Sequence, residues 1–261
     1  MHQLVRKVIL NIVSSLFPPK STGRPRLPAN EILNVIDIVL ASGMAWRHIS
    51  KLRHGLDFRS VHNTFRAWIR SGVFEQAYTS LLRIHRHTKR AKHYCMDSTM
   101  IKNVFGTNCI GRNPTDRGRM GTKMVAMVDH EGIPISLLFT PANTSDMRVV
   151  EHLFKNRFEA FIPNVPLFSD RGFRSKRIRK FVANHTLKPT FPKKRRRWFT
   201  SPHAVVEHFF AWIDKSRRLI VRYETKISSY RAFVLLASSH ILVRRIHNKK
   251  FIEPSSQSIQ I

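Results

Sequence analysis

Apolar residues repeat at helical spacing through the first third of the chain and then give way to short strand-like runs, with helical spacing returning only in later segments. Ile32, Val35, Ile36, Val39 and Leu40 recur until Gly43; Val61, Phe65, Trp68 and Ile69 follow Ser60 and end at Gly72; Phe74, Ala77, Tyr78, Leu81 and Leu82 make a third set. Each set is one apolar stripe at about 100° per residue, so three helices are expected, with Ser60 capping the second and Gly72 stopping it. A basic linker, residues 83–92, carries Arg83, Arg86, Lys89, Arg90 and Lys92, and beyond it the pattern changes to short runs bounded by turn residues. Helices first and strands afterwards give an α/β class. A small all-helical module occupies residues 23–90, and a mixed-sheet domain occupies residues 91–247. Residues 1–22 read as an amphipathic helical segment and residues 248–261 as a loose tail.

Within the second part, residues 94–97 read as a strand, as do 123–129 and 133–139, which His130-Glu131-Gly132 joins as a hairpin. Residues 165–169 make a brief strand ending at Asp170, and residues 175–184 a helix. Ser201-Pro202 starts another helix, whose Val205, Phe209, Trp212, Ser216 and Leu219 share one face while Glu207, Ala211, Asp214 and Arg218 share another. A final helix spans about residues 229–245, with Tyr230, Phe233, Val234, Ala237 and Ile241 inward.

Lys and Arg total 46 against 16 Asp and Glu, a net charge of +30 whose simplest meaning is a polyanionic partner, since phosphate contacts release counterions. A nucleic-acid binder fits best; a ribosomal-type structural protein or a membrane-surface protein would share the charge. The two cysteines, Cys95 and Cys109, make neither a disulfide framework nor a four-ligand zinc site, which points to a reducing intracellular compartment. Asn11 interrupts the apolar N-terminal stretch and no run reaches about eighteen apolar residues, so neither export nor a membrane span is expected. The run Lys193, Lys194, Arg195, Arg196 and Arg197 precedes Trp198 and Phe199. That combination suits backbone contact with base stacking, a solvated surface tract or nuclear targeting, and the run alone does not choose between them.

A protein that only coats nucleic acid needs basic residues; one that cuts it also needs oxygen ligands for a divalent metal. Of the acids, Asp97 and Asp170 each end a short apolar strand and Glu207 lies on a helix edge. Asp129 suits its glycine turn, Asp116 a loop and Asp146 a helix N-cap, while Asp214, on the stripe of Glu207, is a rival ligand. Carboxylates and water suit Mg²⁺, and three well-placed acids can hold two ions that activate a water or 3′-hydroxyl and steady the leaving oxygen.

At these residues the sequence resembles the DDE transposases of bacterial insertion sequences, specifically the IS-five-like group. The likeness runs from about Gly23 to Arg245 and includes Gly23-Arg24-Pro25-Arg26-Leu27-Pro28, Ser42 to Arg47, Met96-Asp97-Ser98, Gly121-Thr122-Lys123, Ser169-Asp170-Arg171-Gly172-Phe173, Val205 to Trp212 and Arg222-Tyr223-Glu224. It implies an RNase H-like catalytic domain behind a helix-turn-helix-like end-binding module. It implies Asp97, Asp170 and Glu207 as catalytic metal ligands for two Mg²⁺ or Mn²⁺ ions. The reaction implied is cleavage and strand transfer at the terminal inverted repeats of an insertion sequence, with joining to target DNA, by a homodimer or larger assembly formed on DNA inside the cell. Lys215, Arg217 and Arg218 fall where the family places basic residues near DNA; Arg24, Arg26, Lys123 and the 193–197 run complete the expected DNA contacts. Three positions depart from the pattern, Phe173 for Tyr, His208 for Arg and His203 for a basic residue. A retired DNA-binding regulator and a nuclease without strand joining are the alternatives.

Overall fold

In the computed structural model, the described residues are all except 24, 53–55, 87–90, 192–201, 203 and 251–261; side chains are also left undescribed at 51, 52, 171 and 248–250. The chain begins with helices α1 (Gln3–Leu16), α2 (Ala29–Ser42), the single turn α3 (Ile49–Leu52), α4 (Phe58–Arg70) and α5 (Val73–Arg86). The expected stripes become the buried sides of α2, α4 and α5, and Gly43 closes α2 in the left-handed conformation at φ 72°. Two local expectations are corrected. Asp57 caps α4, its carboxylate accepting the Ser60 N–H at 3.0 Å, so Ser60 sits inside the first turn. Arg83 and Arg86 belong to the last turn of α5, where cations meet the negative end of the helix dipole, so the basic linker is shorter than its charge pattern implied.

The strands are β1 (Tyr94–Asn103), β2 (Gly111–Arg112), β3 (Met120–Asp129), β4 (Pro134–Pro141), β5 (Pro166–Ser169), β6 (Lys188–Thr190) and β7 (Val221–Arg222), interleaved with α6 (Asp146–Lys155), α7 (Lys176–Asn184), α8 (Ala204–Asp214) and α9 (Ile227–Lys250). β1, β3 and β4 form an antiparallel meander, and β5 and β6 add in parallel on the other side of β1, giving the order β4-β3-β1-β5-β6 of an RNase H-like sheet. β1 is ten residues long, more than twice the stretch expected at residues 94–97, because β3 pairs with it from Tyr94↔Asp129 to Lys102↔Gly121, so Asp97 lies within the strand instead of ending it. The far end of β1 gains a second parallel partner, β7, through Lys102↔Val221 and Asn103↔Arg222.

Asp129 takes the turn-forming role: its Oδ1 accepts the N–H groups of Glu131 at 2.9 Å and Ile133 at 3.0 Å. Burial raises its pKa, and these two donors with Arg86 and His85 oppose that rise. Asp146 is not the cap of α6. Ser145 holds that position, and the Asp146 carboxylate turns instead toward Lys123 Nζ at 3.4 Å.

α9 was expected to bury one face. Residues 232–239 are buried without interruption, because α1, α4 and α5 pack on it from one side and β4 and α8 from the other. Arg231 joins this arrangement, reaching Glu75 of α5 at 2.9 Å and the Leu137 carbonyl of β4 at 2.9 Å. The buried side chains of the early helices, the sheet and α9 therefore form one continuous core. Among the described residues, no helix is long and apolar enough to cross a membrane.

Candidate active site

Side chains alternate along a strand, so residues one step apart point to opposite faces of the sheet. The parallel ladder between β1 and β5 ends at Met96↔Ser169, so Asp97 and Asp170 are the next residues along the two segments, Asp97 within β1 and Asp170 just past the end of β5. Both are half-buried, and Asp97 Oδ1 accepts the Ser98 N–H at 2.7 Å. The turn after Asp170 is fixed from below: Phe173 is buried and its N–H bonds the Asp170 carbonyl at 3.1 Å. Here the departure from Tyr to Phe fills an apolar socket, and the ring anchors the loop that carries the acid.

The face of β1 that carries Asp97 is covered by α8. Cys95, two residues before Asp97 and hence on its side of the sheet, donates its thiol to the Pro202 carbonyl at 2.9 Å, just ahead of the helix. Burial, with the Asp129 charge behind it, pushes the Cys95 thiol pKa up to about 12, so it stays a neutral donor. Val206, Phe209 and Ile213 seat α8 on β1 and β3, leaving Glu207 exposed one position from the seam. This seam is rotated from the expected one. The helix ends at Asp214, so Ser216 and Leu219 lie beyond it, and Trp212 is half-buried against Gly132 instead of facing the core.

Gly132 makes that approach possible. It sits at φ 80°, and an added Cβ would lie 2.8 Å from the Trp212 ring. Gly132→Ala is expected to destabilise the fold by about 2 kcal/mol, combining the left-handed backbone penalty with the clash. Urea denaturation checks it; an unchanged midpoint would show that α8 is not pinned there.

Asp97 and Asp170 are thus brought together, and Glu207 stands on the helix packed against β1. Among the described residues, however, no three His, Cys, Asp or Glu side chains are close enough to hold a metal ion. Asp214 is exposed at the end of α8, its pKa raised by desolvation. A feature the sequence left unread is the pair Lys123–Asp146, which lies beside the loop after Asp170: a Cβ on Gly172 would be 3.8 Å from Asp146 Oδ2. Nothing periodic marks a contact between residues so far apart.

Two basic side chains expected to meet DNA are turned inward. Lys123 is buried, its Nζ donating to the Thr144 carbonyl at 2.9 Å as well as facing Asp146. Arg218 is also buried, off the helix in a 3₁₀ turn, with Nε donating to Glu224 Oε1 at 2.6 Å and Nη1 to the Met44 carbonyl at 3.1 Å. The helix stops too early to carry Arg218 outward, and the buried Glu224 supplies its counter-charge. Lys215 and Arg217, likewise beyond the helix, are exposed; Arg26 is exposed too, its guanidinium bonded to the Pro18 carbonyl and 5.7 Å from the centre of the Phe17 ring. Arg24, His203 and the run Lys193, Lys194, Arg195, Arg196 and Arg197 lie outside the described residues.

The family model described as "Transposase DDE domain" matches residues 88–242, more than half of the chain. The chain belongs to the DDE transposases. A second model, "Putative transposase of IS4/5 family", matches residues 10–78. A curated relative from Burkholderia cepacia, "Putative transposase for insertion sequence element IS402", is 31% identical, the match covering 51% of this chain and 67% of that protein. Among solved structures, a piggyBac transposase synaptic complex with hairpin DNA is similar at TM-score 0.48 and 10% identity, covering 99% of this chain and 75% of that one. The Mos1 strand transfer complex is similar at TM-score 0.37 and 12% identity, covering 91% and 82%. As a DDE transposase the protein is an enzyme acting on DNA, and its family uses divalent metal.

Proposed function

We propose that this transposase cleaves the ends of an insertion sequence and joins the freed 3′-hydroxyls to target DNA, with Asp97, Asp170 and Glu207 as its catalytic acids. The observation that carries the reading is the β1–β5 register, which ends at Met96↔Ser169 and so brings Asp97 of β1 next to Asp170 at the end of β5, with α8 bearing Glu207 packed on β1. The donors suit Mg²⁺ or Mn²⁺ in kind, since all three are carboxylates and the first two are adjacent. Asp97 and Asp170 would hold the ion or the pair of ions, and Glu207 would complete the shell when DNA is engaged. The metal, when bound, polarises the scissile phosphate and supplies an activated water or hydroxyl.

The chain's own residues do the rest. The buried Phe173 and the Cys95–Pro202 bond hold the loop of Asp170 and the approach to α8 in place, so Asp97 and Asp170 need little reorganisation as charge develops, while Glu207 is brought in with the DNA. Exposed Arg26, Lys215 and Arg217, with Arg24 and the 193–197 run, grip phosphates, and the helices of residues 23–90 bind the terminal inverted repeats. Two copies synapse on paired ends within the cell.

Purified protein given Mg²⁺ and a duplex bearing the element's end should nick it and join the product to a second duplex, and chelation by EDTA should stop both. Affinity for that end without metal should fall steeply between low and physiological salt. Binding with no metal-dependent cleavage would favour the regulator reading; cleavage without joining would favour the nuclease.

A further inference from the structure

Large apolar side chains are exposed at only a few places among the described residues, and five of them, Val104, Phe105, Met120, Ile220 and Tyr223, belong to one end of the sheet. They gather there because β7 runs beside the end of β1: the Val104 N–H bonds the Arg222 carbonyl at 3.0 Å and the Thr107 N–H bonds that of Thr225 at 3.0 Å. Met120 precedes Gly121, which pairs with Lys102 on the opposite edge. Phe105 and Tyr223 are the two aromatics, 63% and 40% exposed, with ring centroids 6.2 Å apart.

The backbone beneath these rings is fixed. Asn103 clasps Gly106 in both directions, Nδ2 to the carbonyl at 3.1 Å and Oδ1 from the N–H at 3.0 Å. Arg222 is fully buried and donates to Asn108, Thr122, Glu224 and Thr225. Arg218 holds the Tyr223 ring from the protein side, 5.5 Å from its centre. Two aromatic rings are therefore displayed on a rigid frame, where burial would ordinarily be favoured.

Charge says what covers them. Lys102 and Lys226 are exposed on the segments that carry the rings, and Arg112 and Arg119 are exposed beside Met120, while Glu224 is buried against Arg218 and Asp116 is half-buried in its turn. A second copy docking here by two-fold symmetry would set this basic rim against itself. A polyanion with flat apolar faces meets both halves of the surface.

We propose that Phe105 and Tyr223 form a stacking platform for unpaired bases of the DNA, with the surrounding lysines and arginines on its phosphates. The inference rests on the DNA-joining reading above and names a second contact site for the same substrate. Six residues of strand separate Asn103 from Asp97, about 20 Å, so the platform is distinct from the acids and stands where a strand leaving them is captured.

The test uses the full chain and two probes: a blunt duplex of the element end, and the same duplex with a short single-stranded extension containing 2-aminopurine. Wild type should bind the extended probe more tightly and quench its fluorescence. Phe105→Ala and Tyr223→Ala should each weaken the extended probe by roughly 5- to 100-fold and abolish quenching, with blunt-duplex affinity unchanged; Phe105→Trp should retain both. Equal losses on the two probes, or none on the extended one, overturn the platform. So does a fall in sedimentation mass of the DNA-free variants, which would assign the patch to a protein partner. Salt-sensitive binding of the blunt duplex with no preference for the extension sinks this proposal alone; binding to neither probe sinks the DNA reading with it.

Discussion

Asp97→Asn and Asp170→Asn should each lower Mg²⁺-dependent strand cleavage by about 10³-fold while leaving end binding intact. Asn keeps the size of Asp and one carbonyl oxygen but removes the charge that draws a hard divalent ion. Losing a metal's stabilisation of the developing charge removes several kcal/mol, and each 1.36 kcal/mol is about tenfold in rate. Both side chains are only half-buried and neither is part of the apolar core, so the folded state should tolerate the change. Glu207→Gln, on an exposed helix position, should also abolish cleavage if the helix delivers its carboxylate when DNA is bound. The readout is cleavage of labelled end duplex beside a binding isotherm at one salt concentration. Full cleavage by Asp97→Asn would dismiss the adjacent pair as the metal site; full cleavage by Glu207→Gln alone would transfer the third role elsewhere, with Asp146 and Asp214 the next acids to replace.

The second large effect is on stability. Glu224→Gln should destabilise the protein by about 3–5 kcal/mol, because it leaves the Arg218 guanidinium charged and buried without its counter-ion. Arg218→Met with Glu224→Leu should recover much of that loss, since removing both charges removes the desolvation cost of each. Urea denaturation of the wild type, the single and the double variant measures it. The same series decides the role of Arg218 in DNA binding: a phosphate contact would make the salt dependence shallower in the double variant, whereas a buried tie leaves it unchanged.

The long helices α2, α4 and α5 were legible because each announces itself within a dozen residues by an apolar stripe, whereas the single turn α3 carries no such stripe and was not expected. The β3–β4 hairpin was legible too, since Asp129 and Gly132 are local turn chemistry. What failed locally failed for tertiary reasons. β1 runs on to Asn103 because β3 and then β7 pair with its polar second half, which no alternation within residues 98–103 reveals. α8 stops at Asp214 and turns Val206, Phe209 and Ile213 inward because Gly132 admits the Trp212 ring from the hairpin side. The acids were picked out by position and by likeness, and the register of β1 with β5 supplies the adjacency of Asp97 and Asp170. The inward turn of Lys123 and Arg218 was hidden because their partners, Asp146 and Glu224, become near neighbours only when strands pair and a helix terminates.

α9 carries a consequence for how the chain is made. Its buried residues 232–239 complete the packing of α1, α4 and α5, segments that leave the ribosome long before it does. The early helices must wait, with apolar stripes uncovered, through synthesis of the entire sheet, and the contacts that finish them span well over a hundred residues. A product terminated before α9 would lack the wall its first helices fold against. The chain should therefore become able to grip DNA at about the moment it becomes able to cut it.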